Sequence, residues 1–407
     1  MDLRTGQPVW LARDPDDFSF PRLTRDLACD VVIIGAGVTA ALTLHQLVSA
    51  GLRVVVIDRR AIARGSTAAS TGLLLFQTDT SLRELTRMHG SQTAQRAYVL
   101  GRRAIREIGR VVRALKLDCG FKPKTTLYVA SDAKGKNKLR DEAKRSHRIH
   151  LPATILSQQK LEKLFGISQP AALASSGCAQ VNAFELTRGI FKHYKNHPRV
   201  KIFQHTAVAK LAETNEGVVA KTTRRHQVRA RFAIVAAGYE SDRFGKNPLV
   251  KLHSTYVIAS QPFEGEALWP REALMWETAR PYFYLRTTAD RRIVFGGQDE
   301  SFADERKRDH LLKKKARALE KQFAELFPQY AFRAEYAWTG TFAETVDGLP
   351  CIGPQRAGSH ILCALGYGGN GITFSQMAAR LLRDCILGRK NRDAALFRLD
   401  RTVKKPN

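Results

Sequence analysis

Gly35, Gly37 and Asp58 supply three parts of one chemistry within the run CDVVIIGAGVTAALTLHQLVSAGLRVVVIDRR, which begins at Cys29. A glycine at 35 permits a tight turn, a glycine at 37 lets backbone approach a pyrophosphate, and a carboxylate at 58 accepts hydrogen bonds from a ribose diol. Ala40 stands where a third glycine is usual and is small enough for close helix–strand packing. Next comes GSTAASTGLLLF, starting at Gly65, which gathers Ser66, Thr67, Ser70, Thr71 and Gly72. Their hydroxyls and N–H groups suit a phosphate or a flat ring system, and small residues equally suit a close-packed turn. Near the end of the chain, GYGGNGITFSQ places Gly369, Asn370, Gly371, Ile372 and Thr373 between an apolar strand and a helix. That loop presents a helix N-terminus, with its unpaired N–H groups, to whatever lies in front of it.

The elements needed to position these residues are legible around them. Residues 30–34 and 53–57 are short β-branched runs, long enough to cross a buried parallel sheet. Between them, 38–50 places Ala41, Leu44, Leu47 and Val48 on one helical face, and Gly51 ends the helix. Further on, the pattern predicts an amphipathic helix over 92–116, a strand over 125–130, and helices over 132–150, 156–165 and 183–194. A short strand at 200–203, a three-stranded meander over 207–231 and a buried apolar strand at 232–237 follow. Past Asp242 the strands lengthen and carry aromatics, at 251–260, 282–287 and 292–296, which predicts a separate antiparallel sheet. A helix over 304–327 and a strand over 360–365 complete the reading. Residues 1–28, with Pro8, Pro15 and Pro21, predict an irregular arm laid over the domain.

Composition narrows the function classes. At 407 residues with 44% hydrophobic content, the chain is long enough for two domains and a full core. No apolar run approaches the ~20 residues that cross a bilayer, and the N-terminal residues are charged where a signal peptide would be apolar. We therefore expect a cytoplasmic protein. The six cysteines show no CxxC pair or metal-ligand spacing, so reduced thiols and no metal are expected. A net charge of +28 would attract nucleic acid or an anionic membrane surface, but Lys and Arg are spread over many segments with no recognition module. Solvated basic helix faces account for it, and weak peripheral association with an anionic surface is the other option.

Taken together, these motifs resemble the FAD-dependent amino-acid and amine oxidoreductases of the D-amino-acid oxidase, glycine oxidase and sarcosine oxidase superfamily. Four motifs match in order over most of the chain. The resemblance implies that Gly35, Gly37 and Asp58 contact the ADP half of FAD, and that Ser66, Thr67, Ser70, Thr71 and Gly72 form the loop under the flavin. It implies that Val208, in His205-Thr206-Ala207-Val208, meets the adenine through its backbone, and that Ala237 and Gly238 form a second glycine turn. DGLPCIGP followed by GYGGNGIT is similar to the closing signature, which assigns Gly369, Asn370, Gly371, Ile372 and Thr373 to the flavin's pyrimidine end.

The fold so implied is α/β: a Rossmann-like FAD-binding domain from residues 1–90, 176–250 and 340–407, with an inserted α+β substrate domain, an antiparallel sheet, from 91–175 and 251–339. The activity implied is oxidation of the C–N bond of a small amine or amino acid by hydride transfer to flavin N5, with oxygen or a quinone-type acceptor taking the electrons. A flavoprotein that binds nucleic acid or an anionic membrane, with structural flavin, is the alternative. An NAD-linked enzyme would not explain flavin-type motifs at both ends of the chain. The sequence also departs from the family. Phe342 stands about where a carboxylate-binding arginine often lies, and Val294 about where the sarcosine branch has its oxygen-activating lysine. No cysteine stands at that branch's attachment point, so FAD is expected to be non-covalent. In the substrate sheet Tyr284, Arg286 and Phe342 are the candidate pocket residues, with Arg286 either an anion clamp or a solvated surface arginine. Neither the substrate nor the oligomeric state is legible.

Overall fold

The computed structural model describes residues 3–12, 18–245, 249–264 and 268–401. Two sheets organise it. In the first, the strand order is Cys351–Pro354, Ile361–Leu365, Gln227–Val235, Leu27–Ile34, Val54–Ile57, Val200–Phe203. All neighbours are parallel except the edge strand Cys351–Pro354. Parallel strands covered on both faces require continuous apolar sequence, and Val31, Val32 and Ile33 are fully shielded. Helices Val38–Ser49 and Gly371–Ile386 pack together over one face, and Leu44, Leu47, Met377 and Leu382 share a core with Val31 and Ile33. The meander and the buried strand expected after it are partly one element. Gln227–Val235 pairs antiparallel with Gly217–Thr222 at its start and runs parallel to Leu27–Ile34 along its length. Its alternating residues belong to the hairpin end and its continuous apolar residues to the sheet centre.

The second sheet has the order Ala334–Thr345, Val250–Ser260, Ile293–Glu300, Tyr284–Thr287, Leu274–Glu277, Lys122–Val129, Ala171–Gln180, Leu73–Leu74, and Thr154–Ser157 also pairs with Ala171–Gln180. It is antiparallel except at one junction, where Leu274–Glu277 lies parallel to Lys122–Val129. There the strands from the two halves of the chain meet. Helix Glu305–Leu326 covers one face, with Phe323 edge-on to Phe295 at 5.4 Å. Helix Ser91–Ala114, expected with the second sheet, packs against its strand Ala171–Gln180 and also against helix Gly371–Ile386, burying Ala97, Leu100, Ala104 and Ile108 in a core shared with the first sheet.

The N-terminal arm is tied along a strand of the second sheet. Thr339 N donates to Thr5 O at 2.8 Å and Thr341 N to Leu3 O at 3.0 Å. Residues 1–2 and 13–17 of that arm, and the last six residues of the basic tail, lie outside the described residues. Among the described residues no helix is long and apolar enough to cross a membrane, and no group of three His, Cys, Asp or Glu is placed to hold a metal. All six cysteines are free, and five of them are buried.

Candidate active site

One cavity runs between the two sheets. Its floor is formed where the parallel strands end, at Ile34, Ile57, Ala236 and Leu365, and its roof by Thr255, Trp276, Tyr282, Tyr284, Asp299 and Phe342 of the second sheet. Ligands of open α/β sheets bind in the crevice outside the carboxyl ends of the strands, and this cavity has that position. Gly35 makes the turn at a φ of +112°, and a Cβ there would lie 2.3 Å from Ala236 O, so no other residue fits. A Cβ on Gly37 would lie 2.9 Å from Thr67 Oγ1, the same oxygen that accepts from Val38 N at 3.1 Å. Gly37 therefore makes room for Thr67 as well as for a ligand.

Asp58 closes the second strand and fastens the turn. Its Oδ2 accepts from Ala36 N at 2.6 Å and its Oδ1 from Arg60 N at 2.7 Å. Burial raises its pKa, with those two N–H groups pulling the other way. Arg59 and Arg60 both pair with Glu240, which gathers the cations of this end of the cavity around one carboxylate. Val208, Ala237 and Gly238 line the same cavity.

The segment from Ser66 to Gly72, a helical turn at Ser66–Ala69 followed by a loop, lies along the cavity and is strapped through its carbonyls. Trp10 Nε1 donates to Ser70 O at 2.8 Å, and Val181 N to Gly72 O at 3.0 Å. Arg286 Nη1 donates to Thr71 O, Gly72 O and Val181 O at 3.1, 3.2 and 2.7 Å, while Nε donates to Thr287 O at 3.0 Å. This corrects both expectations for Arg286. Its side chain is 2% exposed and does not line the cavity, so it is neither an anion clamp nor a solvated surface residue. Burial pushes its pKa down, and the nearby Glu272 pulls it back up. Ser66 Oγ is buried, its residue lines the cavity, and it has no hydrogen-bond partner among the described residues.

At the far end, helix Gly371–Ile386 begins with no side chain capping its first turn, and Gly369, Asn370, Gly371 and Ile372 line the cavity. Asn370 turns its amide away, donating to Leu75 O at 3.1 Å and Gln77 O at 2.9 Å. Thr373 does not line the cavity; its hydroxyl donates to Leu75 O at 3.2 Å. These two side chains hold the loop while the backbone faces the site, because the first turn of a helix directs N–H groups forward and side chains outward.

Tyr284, expected in the pocket, lines the roof, and sequence reasoning missed its neighbours there. Tyr282 stands two residues before it, just ahead of the strand Tyr284–Thr287, at a spacing visible in the sequence. The carboxylates had no such signal. Ser254 pairs with Glu300 and Tyr256 with Gly297, so Gln298 and Asp299 together oppose Thr255, and Gln298 has a φ of +57°. That bulge aims Asp299 into the cavity. Burial pushes Asp299 up to about 6, with Thr255 opposing the shift. Asp79 Oδ1 accepts from Tyr282 Oη at 2.9 Å and Oδ2 from Gly369 N at 2.8 Å, which joins the roof to the closing loop. Past Asp79 a second cavity opens, lined by Tyr128, Glu142, Arg280, Glu344 and Tyr367. Glu344 is pushed up to about 7 by burial, with Asp79 adding to it. Arg280 Nη2 donates to Asp79 O at 2.6 Å, and its guanidinium lies 4.6 Å over the Tyr282 ring. Phe342 lines the main cavity and stacks on His253 at 5.3 Å. Val294 is fully buried among Ala68, Ala69 and Trp338.

The family model described as DAO, FAD dependent oxidoreductase, matches residues 30–385. Gamma-glutamylputrescine oxidoreductase of Escherichia coli is 25% identical over 395 residues, covering 93% of this chain and 88% of that protein. The crystal structure of glycine oxidase from Geobacillus kaustophilus superposes with a TM-score of 0.80 at 19% identity, covering 93% of this chain and 100% of the other. That of L-proline dehydrogenase from P. horikoshii gives 0.76 at 16% identity, covering 93% and 98%.

Proposed function

We propose that this chain, which belongs to the DAO family of FAD-dependent oxidoreductases, oxidises the C–N bond of a small amine or amino acid. The residues present fit FAD. A glycine turn with no room for a Cβ, the orphaned Ser66 Oγ and the uncapped start of helix Gly371–Ile386 all face one cavity, and no cysteine lines it. When bound, FAD takes the electron pair of the substrate's C–H bond as a hydride, leaving carbon doubly bonded to nitrogen.

The chain's own residues bind and orient. The Gly35–Gly37 turn and Asp58 would receive the ADP half, and the loop strapped by Trp10, Val181 and Arg286 would support the flavin. The first turn of helix Gly371–Ile386, with the positive end of its dipole toward the cavity, would stabilise the negative charge gained on reduction. Trp276, Tyr282, Tyr284 and Phe342 exclude water from the reacting carbon. No general base is required beyond one that takes a proton from an ammonium substrate, and Asp299, which lines the cavity and is raised toward neutrality by burial, is suited to that.

The observation that carries this reading is the continuity of the cavity, which joins the nucleotide end of the first sheet to an aromatic and acidic roof in the second. The name of the Escherichia coli relative and the titles of the two structures agree with substrates of the amine and amino-acid class. A structural flavin would have no use for such a chamber, so the nucleic-acid or membrane alternative is not favoured. The test is anaerobic titration of the purified yellow protein with a panel of amines and amino acids. We expect bleaching by at least one of them. No bleaching across the panel, with salt-sensitive retention on DNA or anionic vesicles, would overturn the proposal.

A further inference from the structure

Asp79 stands where the two cavities meet and lines both. Its carboxylate is shared between two segments: Oδ1 accepts from Tyr282 Oη at 2.9 Å, and Oδ2 from Gly369 N at 2.8 Å. Arg280 reaches Asp79 through the main-chain carbonyl, at 2.6 Å, which leaves both carboxylate oxygens to the roof and the closing loop. Two glycines of that loop are fitted to the carboxylate. A Cβ on Gly368 would lie 3.0 Å from Asp79 Oδ2, and one on Gly369 would lie 3.0 Å from Oδ2, 3.1 Å from Oδ1 and 3.1 Å from Tyr282 Oη. Gly368 also has a φ of +56°, a backbone reason for its type, whereas Gly369 does not have a positive φ. At 369 it is the carboxylate and the hydroxyl that exclude a side chain. Gly369 belongs to the turn Gly368–Asn370, which leads into helix Gly371–Ile386. Asp79 therefore takes one N–H of the closing loop for itself and sets a negative charge at the positive end of that helix.

We propose that Asp79 is a positioning residue that acts through Gly369 to keep the reduction potential of bound FAD below what the closing helix alone would set. The inference rests on the reading above, in which that helix faces the flavin. A hydride brings two electrons and one proton, so the ring gains one negative charge on reduction. An N–H group aimed at that charge favours the reduced form, and a carboxylate beside it opposes that form. Asp79 opposes it twice, by occupying the Gly369 N–H and by adding its own charge. An uncapped helix start with nothing against it would draw electrons onto the flavin and hold them. With Asp79 in place the reduced flavin is the stronger donor, which suits a protein that passes its electrons on to a further acceptor. A purely structural latch would need no charge, because an amide offers the same acceptor to Gly369 N.

The test measures the reduction potential of the FAD-loaded protein, without oxygen or substrate, by equilibration with a reference dye, alongside FAD affinity and melting temperature. Asp79→Asn keeps an acceptor for Gly369 N and removes the charge. The ratio of reduced to oxidised flavin at a fixed potential should rise about tenfold, which is about 30 mV for a two-electron couple. Asp79→Glu restores the charge and should return the potential to near that of the wild type. Gly369→Ala crowds the carboxylate off the N–H and should also raise the potential, so it decides the matter if Asp79→Asn loses FAD. An unchanged potential in both Asp79→Asn and Gly369→Ala, or an equal rise in Asp79→Asn and Asp79→Glu, overturns the proposal whatever happens to affinity and melting temperature. A raised potential in a protein that no amine bleaches would leave this inference standing and remove the oxidation reading. Bleaching by an amine, with potentials unchanged in the variants, would do the reverse.

Discussion

Replacing Arg286 with methionine isolates what a buried guanidinium does for the cofactor loop. The thioether stem keeps most of the volume and removes every donor. Thr71 O, Val181 O and Thr287 O lose their Arg286 bonds of 3.1, 2.7 and 3.0 Å, whereas Gly72 O keeps Val181 N at 3.0 Å. A buried acceptor left without a donor costs about 1–3 kcal/mol, so the two that tie the cofactor loop, Thr71 O and Val181 O, alone cost about 2–6 kcal/mol. Because Thr71 lines the cavity and Val181 holds Gly72 beside it, the loss should reach the cofactor, and even its lower end, about 2 kcal/mol, corresponds to about thirtyfold in affinity. Flavin fluorescence released on dilution measures that affinity, and urea unfolding of the loaded protein measures the remainder. Arg286→Lys should fall between, since one ammonium cannot reach carbonyls on two segments with the geometry of a planar fork. Unchanged FAD affinity and stability in the methionine variant, together with a raised KM for an acidic substrate only, would refute this account and restore the arginine as an anion clamp.

Two further outcomes follow from the roof. Asp299 and Glu344 sit at about 6 and about 7, above their ordinary 3.8 and 4.5, so they favour the folded state at low pH, and that contribution is lost as pH rises through 6 and 7. With Asp79, His253, Arg280 and Lys315 as the charged or titratable neighbours, wild-type melting temperature should fall relative to an Asp299→Asn, Glu344→Gln variant between pH 5 and 8; parallel curves would contradict it. The second outcome concerns the electron acceptor. Val294 is buried in an apolar cluster, and the cations that line the main cavity, Arg59, Arg60 and Arg243, follow Asp58 and the second glycine turn in the chain. Reduced protein should therefore recover its yellow colour faster with a quinone than in aerated buffer, and rapid aerobic recovery with stoichiometric peroxide would contradict that.

The glycine turns, Asp58 and the closing helix were legible because each depends on local chemistry: a backbone conformation, a strand end, a helix start. Residues whose role depends on another segment were not. Strand alternation says which way Arg286 points, but the carbonyls it meets come from residues 71, 72 and 181. Asp299 reaches the cavity through a bulge opposite Thr255, and no residue type announces that bulge. The strand Ala171–Gln180 escaped notice because AALASSGCAQ has no β-branched residue; it is a strand because neighbours pair along both its edges. Likewise, the apolar stripe of Ser91–Ala114 announces burial without saying which sheet it covers.

The central claim is that a hydride leaves the carbon beside an amine nitrogen for FAD in this cavity. Single-turnover bleaching of the yellow protein, without oxygen, by the panel of amines and amino acids and by the same compounds deuterated at the carbon bearing nitrogen tests it most directly. Bleaching is expected from at least one compound, and more slowly from its deuterated form at saturation, because C–H cleavage is the step the site promotes. Equal bleaching rates for the two forms, or no bleaching across the panel alongside a protein that retains FAD, would contradict it.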